Sequence, residues 1–253
     1  MDLKLDGLNA LVTGGTKGIG RAIAETLAAE GANVAICARN EAEVDATAAA
    51  LSASGVKAIG RALDVADGPA VAAWVEEAAA SFGGLDIVVA NVSALAIAGD
   101  EASWQAGFAV DMMGTVRLVD AALPYLERSR AASIVTVSSV SGREIDFAAG
   151  PYGAFKAALI HYTQGLAFNL APKNIRANSV SPGNIYFKGG VWDQIETGNP
   201  ELFARALALN PTGRLGTPQE VANATAFIAS PAASFITGSN LVVDGALTRG
   251  VQF

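Results

Sequence analysis

Cysteine and histidine are almost missing from this chain, each occurring once, as Cys37 and His161. A lone cysteine excludes an intramolecular disulfide framework and fits a reducing compartment. A lone histidine without other ligands nearby excludes a recognisable metal site, so no metal is expected and His161 is assigned a structural role. Charge is also scarce, at 16% of 253 residues, and 17 basic against 24 acidic side chains leave a net charge of −7. That deficit of positive charge argues against a nucleic-acid partner. The opening Met1–Asp6 has no basic-then-apolar order of the kind a secretory signal shows. One uncharged stretch, 221–243, is long enough to span a bilayer, yet Pro231 would break a helix midway. It reads instead as a helix, a turn and a buried strand. The expectation is a soluble, cytoplasmic protein with neither a membrane nor a nucleic-acid partner.

What the chain has in quantity is apolar residues, 51% of the total. That suffices for a large core, and with so little charge it suggests that some apolar surface is hidden in an oligomer. Short β-branched runs recur at Asn9–Thr13, Asn33–Cys37, Lys57–Leu63, Leu85–Ala90, Ser133–Ser138, Ile175–Val180 and Asn240–Val243. Between them lie Ala- and Leu-rich segments such as 20–30, 41–54, 66–82, 103–128 and 152–170. This alternation predicts an α/β fold, a doubly wound parallel sheet covered on both faces. No linker or repeat interrupts it, so one domain is expected over 1–253.

The first run feeds Thr13-Gly14-Gly15-Thr16-Lys17-Gly18-Ile19-Gly20 and then a helical pattern. A strand-to-helix turn that admits a pyrophosphate needs residues without a Cβ, and the helix N-terminus adds partial positive charge. Gly14, Gly18 and Gly20 stand where those demands fall. The second run ends in Ala38-Arg39-Asn40, with no carboxylate for a ribose 2′-hydroxyl. Arg39 suits a 2′-phosphate, and Lys17 offers a second positive charge. The reading is NADP(H) in preference to NAD(H).

Tyr152 and Lys156 are four residues apart at the start of a helical segment, which puts both on one face. A free phenol releases its proton only near pH 10, and a close ammonium favours the phenolate. Such a phenol can protonate a developing alkoxide, or deprotonate an alcohol in reverse. The fifth strand-like run ends near Ser139, where ligands bind in open parallel sheets, and its hydroxyl can hold the substrate oxygen.

Taken together, the glycine turn, Asp64-Val65, the Ser139/Tyr152/Lys156 set, Ser181-Pro182-Gly183, Arg214–Pro218, Ile236-Thr237-Gly238 and Val242–Gly245 resemble the short-chain dehydrogenase/reductase family over essentially the whole length. The resemblance is to members of the 3-oxoacyl-carrier-protein-reductase kind. It implies a seven-stranded Rossmann-type sheet, a homotetramer or dimer, and carbonyl reduction or alcohol oxidation. Residues 1–90 would form mainly the dinucleotide-binding half and 91–253 the catalytic half, with 184–210 as substrate lid. Asp64 and Val65 would border the adenine, and Lys156 would hold the nicotinamide ribose while tuning Tyr152. Ile185 would offer backbone groups to the carboxamide. Thr16, Lys17, Ile19, Asn91, Tyr152, Pro182 and Gly183 complete the expected cofactor contacts.

Three positions depart from the family pattern. The family's asparagine in the helix after strand four is Asp111, which accepts hydrogen bonds only and brings a negative charge. A glycine after strand four is Ser93, and a threonine after Pro182-Gly183 is Phe187. Asp111 could still hold a water in a proton relay to Lys156, or could slow turnover. These departures motivate the alternative of a dinucleotide-binding sensor or interaction protein. In the lid, Tyr186, Phe187, Trp192 and Phe203 point to a fairly apolar carbonyl or alcohol substrate, or else pack internally. No Lys/Arg cluster in the sequence marks a strongly anionic one.

Overall fold

A computed structural model describes residues 1–251. Its strands are β1 (Asn9–Thr13), β2 (Asn33–Ala38), β3 (Ala58–Ala62), β4 (Ile87–Ala90), β5 (Ser133–Val137), β6 (Arg176–Pro182) and β7 (Asn240–Val243). They form one seven-stranded sheet in the order β3-β2-β1-β4-β5-β6-β7. Every pairing is parallel. The helices are α1 (Gly18–Ala29), α2 (Glu41–Ser52), α3 (Gly68–Phe82), α4 (Glu101–Gly107), α5 (Met113–Leu126), α6 (Pro151–Leu170), α7 (Val191–Gly198), α8 (Pro200–Leu209) and α9 (Pro218–Ala229).

The central strands are buried throughout because both faces are covered, which is why they read as continuous apolar runs. Within β1, Ala10 and Val12 face the core under α1 and α9, with Ile23, Leu27, Val221 and Ile228. Leu11 faces the opposite core, with Trp74, Val75, Leu118 and Ile134. Each such Leu, Ile or Val contributes about 1.5–3 kcal/mol by leaving water. The chain builds β1, β2 and β3 outward, then returns to place β4 on the other side of β1. That reversal opens a crevice beyond the carboxyl ends of β1 and β4.

Some boundaries differ from the sequence expectation. The 103–128 segment is not one α-helix; α4 and α5 are joined by a π-helical turn, Phe108–Met112. The helix expected from Gly20 starts two residues earlier, inside the glycine turn. The uncharged 221–243 stretch is α9, a short 3-10 turn and β7, but β7 is half-buried, since it lies at the sheet edge. Among the described residues, no helix is long and apolar enough to cross a membrane.

A capping box starts α9. The Thr217 hydroxyl accepts from the Glu220 N–H, and the Glu220 carboxylate accepts from the Thr217 N–H. Arg214 adds a two-pronged pair, Nη1 at 2.9 Å and Nη2 at 2.6 Å from the two Glu220 oxygens. The Arg214 guanidinium, then the Thr217 N–H, hold the Glu220 carboxyl down from 4.5 to about 2. A depressed carboxyl stabilises the fold above its unfolded value and stops doing so as pH falls through the folded one. The melting-temperature advantage of the unaltered protein over Glu220→Gln is therefore expected to be full above pH 4.5 and to shrink toward pH 2. Thermal melts of both proteins across that range check this; a constant gap would refute it. The effect is small, since these groups are solvent-exposed.

Candidate active site

The turn after β1 is shaped by close backbone approach. Gly14 (φ +68°) and Gly18 (φ +51°) take left-handed conformations. At Gly20 a Cβ would stand 2.2 Å from the Gly14 carbonyl oxygen and 2.4 Å from Asn91 Nδ2. Asn91 Nδ2 donates to the Thr13 carbonyl at 3.0 Å, and the Asn91 N–H donates to Thr13 Oγ1 at 2.9 Å. Asn91 thus braces the turn from β4. Thr16 is buried and Ile19 half-buried, while Lys17 is exposed. Among the described residues, no side chain caps the N-terminus of α1. An uncapped helix start preceded by glycines fits a pyrophosphate.

Around this turn, Arg39 is exposed just past the end of β2. The Lys17 ammonium lies 2.7 Å from Glu43, which offsets the second positive charge read from the sequence. Asp64 is exposed and its Oδ1 accepts the Ala66 N–H at 2.9 Å. Val65 is buried against Gly114. Ser93 Oγ accepts the Leu95 N–H at 3.1 Å, making a local turn. Cys37 is buried at the end of β2, and burial pushes its thiol up to about 12, so no reactive thiolate forms there.

Tyr152, Lys156 and Asp111 come together, and Ser139 follows the end of β5 on a segment that packs against the start of α6. Two glycines allow it. A Cβ at Gly142 would lie 2.6 Å from the Lys156 carbonyl carbon, and one at Gly153 would lie 2.9 Å from the Ser141 carbonyl oxygen. The segment carrying Ser139 is therefore pressed onto the first turns of α6. The Ser138 hydroxyl fastens it by donating to the Lys156 carbonyl at 2.8 Å. Lys156 is 2% exposed, and its Nζ donates to the Val137 carbonyl at 3.0 Å and sits 5.6 Å from the Tyr152 ring centre. Tyr152 itself is half-buried.

The π-helical turn carries Asp111, also 2% exposed, toward the same amine. Its Oδ2 accepts the Ala94 N–H at 2.9 Å. Its Oδ1 lies 3.3 Å from Lys156 Nζ, an ion pair that is not aligned as a hydrogen bond, and this buried oxygen has no hydrogen-bond partner among the described residues. Ser139 Oγ accepts the Ser141 N–H at 3.2 Å and donates to the Ser141 hydroxyl at 3.3 Å, a long contact that leaves it free to turn. The Ser141 hydroxyl donates to Asp146 at 2.6 Å. This Ser141–Asp146 support was not legible beforehand, because Asp146 belongs to no motif quoted above.

On the far side, Pro182 is buried, and a Cβ at Gly183 would stand 2.7 Å from Asp244 Cβ. Ile185 pairs with Gly216 in an isolated parallel bridge. The Tyr186 N–H donates to the Gly216 carbonyl and the Gly216 N–H to the Asn184 carbonyl, so the bridge does not use Ile185's own N–H and C=O. The Phe187 ring lies against the glycine turn, 2.5 Å from where a Gly18 Cβ would be.

Of the lid aromatics, Tyr186 and Phe203 pack around Ala206 and Leu215 in a small core that Trp192 joins. The Tyr186 hydroxyl lies 2.7 Å from a Glu196 oxygen and 3.0 Å from an Asp193 oxygen, either of which can accept its one proton; with Glu196, then Asp193, beside it, its titration is pushed well up. Of the four, Trp192 lines a cavity of about 450 Å³, whose walls include Val140, the residue after Ser139, and it also meets Phe147 edge-on. Arg205 and Arg249, 44 positions apart in the chain, both reach this cavity, as do Glu144 and Asp146. His161 is exposed on α6, where it has no core to fill. No group of three or more metal-binding side chains occurs among the described residues.

Comparison with known proteins gives a consistent set of likenesses. Residues 14–248 match the family described as Enoyl-(Acyl carrier protein) reductase. The chain is 42% identical to isoepoxydon dehydrogenase patN of Penicillium expansum, over 98% of each protein. It is 36% identical to the 3-oxoacyl-[acyl-carrier-protein] reductase FabG of Escherichia coli K12, over 97% of this chain and 99% of that one. Among solved structures, a 7α-hydroxysteroid dehydrogenase complexed with NADH and 7-oxo glycochenodeoxycholic acid superposes with a TM-score of 0.90 at 30% identity, covering 97% of this chain and 96% of that one. A short-chain dehydrogenase from Burkholderia cenocepacia J2315 in complex with NADP superposes at 0.86 with 33% identity, covering 96% and 99%. With this sheet order, this crevice and these relatives, the chain belongs to the short-chain dehydrogenase/reductase family and is an oxidoreductase.

Proposed function

We propose that the protein is an NADP(H)-dependent oxidoreductase that interconverts a carbonyl compound and a secondary alcohol. The observation that carries this is the buried Lys156 amine held beside the Tyr152 ring and fastened to the Val137 carbonyl at the end of β5. The glycine turn 14–20 would hold the pyrophosphate, Asp64 and Val65 the adenine side, and Arg39 the 2′-phosphate. Asn91 positions that turn, and Pro182, Gly183 and Ile185 present backbone to the nicotinamide side. When bound, the nicotinamide supplies or takes up the hydride.

In the reducing direction, the Tyr152 hydroxyl donates a proton to the substrate oxygen as negative charge builds there. The Ser139 hydroxyl turns from Ser141 to donate to the same oxygen. Lys156 favours the phenolate left behind by placing its positive charge near the ring. The unpartnered Asp111 Oδ1 accepts a hydrogen bond from a water, which can pass protons toward Lys156. In the oxidising direction the same groups work in reverse.

The mainly apolar cavity walls support a fairly apolar small molecule as substrate. The reading extends to a homotetramer in the cytoplasm. Exposed Trp104, Phe108 and Phe168 on α4, the π-helical turn and α6 support association.

Cofactor choice gives a direct test. NADPH is expected to bind at least about tenfold more tightly than NADH, roughly 1.4 kcal/mol, and Arg39→Asp to reverse the order. Fluorescence titration of both dinucleotides reads this; equal affinities in the unaltered protein would overturn the NADP(H) assignment. A second reading, a dinucleotide-binding protein with little turnover, draws on the Asp111–Lys156 pair, which shares the amine's charge between two partners. It would prevail if the protein bound NADPH yet oxidised none across a broad carbonyl panel.

A further inference from the structure

The chain after β7 returns across the substrate cavity and is tied down twice. Asp244 Oδ1 accepts the Ala246 N–H at 2.9 Å, and Oδ2 accepts the Thr248 N–H at 2.9 Å and its hydroxyl at 2.7 Å. Further on, one Glu144 oxygen accepts two successive backbone donors, the Arg249 N–H at 3.0 Å and the Gly250 N–H at 2.7 Å. Glu144 is five residues beyond Ser139, in the segment between β5 and α6. The second tie therefore joins two parts of the chain more than a hundred positions apart at the edge of the reacting centre. Hydrogen bonds to a carboxylate are roughly twice as strong as neutral ones. Between and beside the two ties, Leu247, Thr248 and Arg249 line the cavity together with Phe147 and Trp192.

We propose that residues 244–250 form a fixed wall of the substrate cavity, fastened by Glu144, and that this fastening restricts the enzyme to compact carbonyl compounds. The proposal rests on the reading above that this cavity receives the substrate. At about 450 Å³, the cavity lies in the lower part of the 300–1,000 Å³ range of small-molecule sites. Glu144 acts here as a positioning residue, through the tail, and takes no part in hydride or proton transfer. The limit on substrate length comes from the wall staying in place.

The test compares the unaltered protein with Glu144→Ala and Glu144→Gln, using NADPH with cyclohexanone and with 2-dodecanone. Glu144→Ala removes the acceptor shared by two backbone donors, so it should speed amide exchange at Arg249 and Gly250 at least about tenfold. The KM for cyclohexanone should rise about tenfold with kcat little changed, and the preference for cyclohexanone over 2-dodecanone should fall by a similar factor. Affinity for NADPH, read by fluorescence titration, should not move. Glu144→Gln keeps an acceptor without its charge and should fall between the two. Unchanged exchange at Arg249 and Gly250 would overturn the fastening. Faster exchange with an unchanged ketone preference would overturn the wall. If the unaltered protein reduced neither ketone nor any other carbonyl, the functional reading would fail by itself, while exchange would still decide the fastening.

Discussion

Replacing Tyr152 by phenylalanine is expected to lower kcat by about a thousandfold, within the 10²–10⁴ range for removing a positioned acid/base, while leaving NADPH affinity unchanged. The ring that packs beside Lys156 remains, so only the hydroxyl's proton is lost. Ser139 cannot substitute, because a serine hydroxyl gives up its proton only to a strong base, and among the described residues it contacts only the N–H and hydroxyl of Ser141. The loss should therefore fall on kcat and kcat/KM alike, with KM little moved. Steady-state NADPH oxidation alongside a binding titration measures both. Activity within a few-fold of the unaltered protein would remove Tyr152 from the chemistry.

The second large effect is expected at Lys156, and it reaches stability as well as rate. Lys156 and Asp111 are both about 2% exposed and face each other at 3.3 Å. Removing one member of a buried pair strands the other's charge, at a cost of about 3–5 kcal/mol. Lys156→Met, close in size, should therefore be destabilised by that amount and also be inactive. Adding Asp111→Asn removes the stranded charge, so the double variant should recover most of the stability and none of the turnover. Urea unfolding of the single and double variants reads the first part, and NADPH oxidation the second. A Lys156→Met protein as stable as the original would mean that the Asp111 carboxylate does not depend on the Lys156 charge, and the pairing argument would fall.

The sheet was legible because its signal is long and redundant. Seven apolar runs, bounded by helix-forming segments, leave little choice of architecture. The site was legible where close packing dictates residue type. Gly20 admits no Cβ because the Gly14 carbonyl and the Asn91 amide occupy the space, and Gly142 and Gly153 let Ser139 approach α6. Such constraints leave a local trace in sequence. The Lys17–Glu43 contact leaves none, since it joins the glycine turn to the first turn of α2 across exposed side chains. The cavity walls were illegible for a similar reason. Tyr186 and Phe203 carry the same apolar signal as Trp192, yet they pack into the lid's own core, and only coordinates separate those fates. Arg205, Arg249 and Glu144 meet at the cavity through tertiary folding alone.

The widened turn at Phe108–Met112 has a consequence for how this enzyme can change. An α-helix advances about 100° of rotation per residue. Deleting one residue from 108–112 would restore regular winding and swing the Asp111 carboxylate roughly that far around the axis, away from the amine it faces. Every motif quoted for the reaction would still read the same. The address of this carboxylate is thus written as a residue count rather than as a residue identity. A relative one residue shorter here would carry an intact-looking signature with this carboxylate turned away from the amine.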